Sequence, residues 1–219
     1  FNFANNKKFS KKDVWLTFDD GYKDHFKNVL PILEKNKLKG SFYPTVLGTK
    51  CKNLLDINKI HLILKEVKDY DFIINFIKTQ YNIEKSNKED HFENLVKNIN
   101  TKIPYDNKKT IIIKSLLQSQ LNYELRTRIC NKLLAKIYKK KLSQVSSNFY
   151  MNIKEIKQLY NAGHEIGLHG YNHYPLNILT KSEKKQEIVS SYNYWNSKKL
   201  IKENWSFCYP FGIHDTQSI

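Results

Sequence analysis

The amino-acid sequence predicts an α/β fold, a parallel sheet or barrel of strand–helix units interrupted by a long helical insertion. Three observations support it. Strand, helix and strand patterns succeed one another within the first fifty residues. Residues 51–148 contain no glycine and carry almost only helical periodicity. After Met151, alternating strand and helix patterns return. The predicted organisation is a discontinuous α/β domain over 1–50 and 151–219, with an insertion or cap over 51–150.

Val14-Trp15-Leu16-Thr17-Phe18 is a β-favouring run that enters Asp19-Asp20-Gly21, so a buried strand ending in a turn is expected. Phe26, Val29, Leu30, Ile32 and Leu33 then fall on one helical face, with Asp24 placed to cap it. Pro31 sits inside that pattern and is expected to end or kink the helix. Gly40 introduces a second strand over residues 41–46, which completes a βαβ pattern in about thirty residues. Helical periodicity covers 54–67, 72–77, 92–99, 110–117 and 123–138. Asn152 is the expected cap of a helix closed by Gly163, followed by a short strand over 164–168. A helix over 182–195 and a strand over 205–209 complete the chain's pattern.

Composition narrows the function classes. With 40% hydrophobic and 13% aromatic residues, the chain has the means to build a core and is not disordered as a whole. No apolar run is long enough to cross a membrane as a helix, so no transmembrane segment is expected. Cys51, Cys130 and Cys208 are too scattered for a disulfide framework. The net charge of +16 invites a nucleic-acid reading, but only Arg126 and Arg128 among 37 basic residues are arginines. Readers of bases and phosphates favour the bidentate guanidinium, so no nucleic-acid partner is expected. Residues 51–150 hold 19 Lys+Arg against 10 Asp+Glu, a net +9, so the excess sits mainly on the insertion. The chain begins Phe1-Asn2-Phe3 and reads as a fragment or processed product; its compartment, cytoplasm or cell envelope, stays open.

Three polar clusters each follow a predicted strand: Asp19-Asp20-Gly21, His169 to His173, and Tyr209 to Gly212. In α/β folds, sites gather at the carboxyl ends of strands, so these clusters are expected to meet. His169 and His173 stand at i and i+4, which would put both imidazoles on one side of a helical turn. A carboxylate from Asp20 or Asp19 would complete a three-ligand site for a divalent metal, zinc being the first choice. The other aspartate could then take a proton from the attacking water.

Thr17-Phe18-Asp19-Asp20-Gly21, His169-Gly170-Tyr171-Asn172-His173 and Tyr209-Pro210-Phe211-Gly212 resemble, in order and spacing, three motifs of the NodB-homology polysaccharide deacetylases, carbohydrate esterase family four. Phe42-Tyr43-Pro44 looks like the second strand of that fold. The resemblance covers about residues 13–50 and 150–219. It implies a distorted (β/α) barrel, C-terminally incomplete in this chain, that hydrolyses an N-acetyl group from an amino sugar. It also implies that Asp20, His169 and His173 bind the metal, Asp19 is the base, and the Phe211 backbone N–H is the oxyanion donor. Apart from the resemblance, Tyr171 and Tyr174, beside the histidine motif, and Tyr209 and Pro210 are the candidate substrate contacts. The implied substrate is an N-acetylated glycan; the insertion matches nothing general in the family, and its lysines read as a lid or recognition cap facing an anionic glycan, a nucleotide-sugar or a lipid-linked sugar.

Two positions depart from the family pattern. Gly170 stands where the family usually has Ser or Thr, and Cys208 stands where many members have an Arg that orients the base. The motif that carries the general acid is absent, and His214 does not match it by position. A deformylase or another N-acyl sugar amidohydrolase would use the same motifs. An inactive carbohydrate-binding barrel would not need all four of Asp19, Asp20, His169 and His173. Adjacent aspartates are also poorly placed for a glycosidase, whose two carboxylates flank a bond.

Overall fold

A computed structural model describes residues 14–51, 53–84, 89–102, 104–138 and 142–214; the two ends of the α/β domain, 1–13 and 215–219, lie outside them. The chain is an α/β structure that clusters into two compact units, Phe1–Leu54 with Ser143–Ile219, and Leu55–Leu142.

The first unit is built on three parallel strands, β1 (Thr17–Asp20), β2 (Ser41–Pro44) and β3 (Glu165–Ile166), in the spatial order β1-β2-β3. Their register aligns Phe18, Phe42 and Ile166 across one face and Thr17, Ser41 and Glu165 across the other. The apolar face packs on Leu30 and Leu33 of α1 (Leu30–Lys35), Ile156 and Leu159 of α9 (Ile153–Asn161), and Trp195 of α10 (Lys181–Ser197). The polar face carries a chain of hydrogen bonds. Trp15 Nε1 donates to Ser41 Oγ at 2.8 Å, and the Ser41 and Ser206 hydroxyls donate to the two oxygens of Glu165 at 2.5 and 2.6 Å. Thr17, Ser41, Tyr43, Glu165 and Ser206 line an open cavity of about 650 Å³ on that face.

Several sequence-based expectations are corrected. The first strand begins at Thr17, and both aspartates belong to it; Val14 is 80% exposed, and β1 alternates exposed and half-buried residues. Asp24 does not cap its helix, because its carboxylate accepts from the Asn28 side chain instead. Pro31 neither ends nor breaks the helix. Helical residues run on through 23–35, and the interruption of regular bonding falls in the π-helical turn at His25–Val29 directly before α1, where Leu30 N–H donates to His25 O. The second strand stops at Pro44: the Thr45 hydroxyl accepts from the Gly48 N–H, and Val46 opens α2 (Val46–Cys51). Residues 205–209 form no ladder strand among the described residues. They make a single parallel bridge, with Leu168 N–H donating to Ser206 O and Cys208 N–H to Leu168 O.

The second unit is helical. Each predicted helical pattern falls on a helix: α3 (Asp56–Glu66), α4 (Tyr70–Glu84), α5 (Glu89–Lys97), α6 (Lys108–Ser115) and α7 (Tyr123–Ile137). Asn107 and Asn122 cap α6 and α7 with their side-chain oxygens. The helix α8 (Leu142–Phe149) leads back to the first unit, where Met151 N–H donates to Gly21 O and Asn152 with Glu155 forms a capping box on α9.

Candidate metal centre

The site assembles at the carboxyl end of β1. Asp20 has φ +67 and Gly21 φ +75, so the chain turns left-handed at the strand's last residue. A Cβ at Gly21 would lie 2.7 Å from Pro44 Cβ, so only glycine fits there. The turn aims the Asp20 carboxylate at the loop that follows β3, where His169 and His173 stand. That loop is not helical, contrary to the i, i+4 expectation. Positive φ at Gly170 (+74) and His173 (+65) folds it so that the two imidazole centroids are 4.8 Å apart. The spacing thus meets the need of a metal site by a loop turn in place of a helical one.

Asp20 Oδ1 lies 3.1 Å from His173 Nε2 and 3.4 Å from His169 Nε2. One donor atom from each of the three residues falls within 4.8 Å of the others. His169 is 2% exposed and its Nδ1 lies 2.8 Å from Cys208 O. A carbonyl only accepts, so Nδ1 carries the hydrogen, and the neutral ring turns the Nε2 lone pair toward Asp20. Asp20 Oδ1 is buried and receives no well-directed hydrogen bond. With the Nε2 atoms of both rings unprotonated, one oxygen and two nitrogens converge on one point, and a divalent cation fits that donor set. Without it, a proton takes over part of that role. Burial disfavours the charged form of His169, but Asp20 and the Cys208 carbonyl outweigh it and push the imidazole up to about 10. Burial likewise opposes ionisation of Asp20, and the two imidazoles overcome it and hold the carboxyl far below the ordinary range.

The remaining candidate residues surround this cluster unevenly. Asp19 is exposed, and the Cys208 thiol donates to its Oδ2 at 3.4 Å. Cys208 thus touches both Asp19 and, through its carbonyl, His169. Phe211 sits in a 3₁₀ turn (Pro210–Gly212) with φ +60, and its ring packs 4.7 Å from that of His173. The N–H groups of Gly212 and Ile213 donate to Tyr209 O and Pro210 O, while among the described residues no acceptor meets the Phe211 N–H. Tyr209 stacks edge-on with Phe207 and lies 5.0 Å from the His214 ring, and Pro210 is buried. Tyr171 is drawn toward α2: Leu47 N–H donates to its carbonyl and Lys50 Nζ to its hydroxyl.

Sequence reasoning missed Glu187 of α10, a buried carboxylate that holds Asn172 between the two histidines. The signal was there in outline. Read backward from Trp195 at helical spacing, the buried stripe of α10 is Ser191, Glu187 and Lys184. Three polar residues in one buried stripe hide it from any hydropathy pattern.

A strand-end aspartate and two loop histidines on a parallel α/β unit make a candidate site for a divalent cation. Residues 6–69 and 130–219 match the family model described as polysaccharide deacetylase, so the chain belongs to that family, whose members hydrolyse a non-peptide carbon–nitrogen bond and are generally metal-dependent. Among solved structures, it is similar to "Streptococcus pyogenes deacetylase PplD in complex with acetate" at 15% identity and a TM-score of 0.48, over 98% of this chain and 53% of that one. The chain thus spans about half the length of that structure. None of the curated proteins matches.

Proposed function

We propose that this chain carries the metal-binding motifs of a deacetylase that hydrolyses the N-acetyl group of an amino sugar, in a polysaccharide or a cell-surface glycan precursor. The observation that carries the reading is the convergence of Asp20 Oδ1, His169 Nε2 and His173 Nε2 in one buried cluster. Zinc best suits one carboxylate and two imidazoles. When bound, it supplies Lewis acidity, polarising the acyl carbonyl and acidifying the attacking water.

The chain's own groups do the rest. Asp19, exposed and oriented by the Cys208 thiol, takes the proton of the attacking water. The Phe211 N–H, held in its left-handed turn and otherwise uncommitted, donates to the oxyanion as it develops. Tyr209, Pro210 and Tyr171 contact the sugar. The three parallel strands form part of a distorted barrel whose interior is the polar face lined by Thr17, Ser41, Tyr43 and Glu165. The open cavity on that face supports closure by further strands of a longer chain. The Lys-rich helical unit recruits an anionic glycan, a nucleotide-sugar or a lipid-linked carrier.

The test is metal content together with acetate and formate release by the full-length protein on chitin oligomers and UDP-linked N-acyl sugars. Zinc should co-purify with the wild type and be lost from Asp20→Ala and His169→Ala; unchanged metal in those variants would overturn the site. Asp19→Asn should keep the metal and slow turnover by roughly 10²–10⁴-fold, and full turnover would remove Asp19 as the base. Formate in place of acetate would change the acyl group and leave the chemistry intact.

A further inference from the structure

The loop between the two histidines is pinned at its middle by a residue from another element. Glu187 lies on α10, is 4% exposed, and spends both carboxylate oxygens on one residue of that loop. Oε1 accepts from the Asn172 backbone N–H at 2.5 Å, and Oε2 accepts from Asn172 Nδ2 at 3.0 Å. The same Oε1 occupies the space that a side chain at position 170 would need: a Cβ there would lie 2.9 Å from it. Gly170 has φ +74, so glycine serves the backbone turn and the close approach of the carboxylate at once. Asn172 precedes His173, which itself holds φ +65, an unfavoured conformation that persists only where neighbours impose it.

From this we propose that Glu187 is the positioning residue of the metal centre: its two-point clamp on Asn172, admitted by Gly170, holds His169 and His173 at the separation a metal requires. The proposal rests on the reading of Asp20, His169 and His173 as metal ligands. Buried carboxylates are expensive to desolvate, and a bidentate arrangement on a backbone and a side-chain N–H is how such a group is stabilised. Groups that orient ligands in this way typically govern metal affinity by about 10–100-fold.

The experiment uses the full chain and zinc alone, titrated against a chromophoric chelator, with amide exchange of Asn172 followed in the metal-free protein. Glu187→Ala should weaken zinc binding by about 10–100-fold and speed Asn172 exchange, while Glu187→Gln, which keeps an acceptor for the backbone N–H, should recover most of both. Gly170→Ala should weaken zinc binding in the wild-type background and cost less in Glu187→Ala, where the obstructing carboxylate is gone. Should Glu187→Ala not fold, Asn172→Ala, which removes the side-chain half of the clamp from the loop side, decides: weaker zinc binding supports the clamp and an affinity within about twofold of wild type overturns it. Zinc affinity within about twofold of wild type in Glu187→Ala, with an equal Gly170→Ala cost in both backgrounds, overturns the clamp. A wild type that takes up no zinc overturns the proposed function instead, and unchanged Asn172 exchange in Glu187→Ala would then overturn the clamp as well.

Discussion

At the scale of single residues, the histidines divide by what their nitrogens face. His169 and His173 meet a carboxylate, whereas His164 meets none. It is fully buried at the start of β3, accepts from the Gly40 N–H at Nδ1, and stands edge-on to Phe42. Burial, helped by the charge of Lys39, pushes its pKa below the ordinary value. The folded protein therefore resists a proton that the unfolded chain accepts at about pH 6.5. Stability from His164 is complete above that pH and is lost as pH falls through it toward the lower folded value. His25, packed among Phe18, Tyr22 and Phe42, is lowered in the same direction and adds to the same slope. In chelator-treated protein, the fall in Tm between about pH 8 and pH 5 should be smaller in His164→Gln, which keeps an acceptor for Gly40, than in the wild type. Equal falls would mean that His164 titrates alike folded and unfolded. The proposed ligand residues stood out in the sequence because Asp-Asp-Gly and His-x-x-x-His carry chemistry in their letters, and the structure brings Asp20, His169 and His173 together. Glu187 was not, since a lone glutamate in a Lys-rich helix reads as solvated until its partners are known. The turn that joins the histidines was misread for a related reason: i and i+4 meet on a helix, but they also meet across a loop with two left-handed residues.

At the scale of elements, strong periodicity was readable and local turn chemistry was less so. The helices of the second unit were evident because their apolar positions repeat at 3.6 without glycine or a competing strand pattern. The strands are short, four, four and two residues, so their ends are set by register and by the polar turns that follow rather than by propensity. That is why β1 ran two residues farther than its β-favouring run, and why β2 gave way to helix at Val46. Inside the helical unit, α3 and α7 are joined by a buried ionic network that no periodicity announces. Asp56 accepts from Lys59 Nζ at 2.9 Å, Arg126 Nε at 3.3 Å and Thr127 Oγ1 at 2.7 Å, and the Lys59 and Arg126 side chains are 3% and 6% exposed. Removing the anion would leave two buried cations facing each other without compensation. Asp56→Ala should destabilise the protein by about 3–5 kcal/mol, read as a lower midpoint in urea unfolding followed by far-ultraviolet circular dichroism. An unchanged midpoint would show that the cations find other partners or water.

At the scale of the molecule, the two units differ in what they hold. Every member of the core beneath the sheet, from Leu30 to Leu200, lies in Phe1–Leu54 or Ser143–Ile219, as do Asp20, His169, His173, Glu187, Cys208 and Phe211. The helical unit has its own buried set, including Ile63, Ile77, Ile113, Leu116 and Leu133. Residues 55–142 also hold 18 Lys+Arg against 10 Asp+Glu, so half of the +16 belongs to that unit. The family match is weakest there as well, leaving 70–129 unmatched. The expectation is a separation of roles. Replacing 55–142 by a flexible Gly/Ser linker should leave zinc uptake by the full-length protein within about threefold, because the proposed ligands, the proposed clamp and the core all remain. The same replacement should raise KM for an anionic glycan and flatten its dependence on ionic strength, because long-range attraction between opposite charges is what salt screens. On a neutral chitin oligomer, KM should change little. If zinc uptake collapsed with the linker in place, the first unit would not be self-sufficient; if KM rose equally for neutral and anionic substrates, the lysines would contribute shape and not charge.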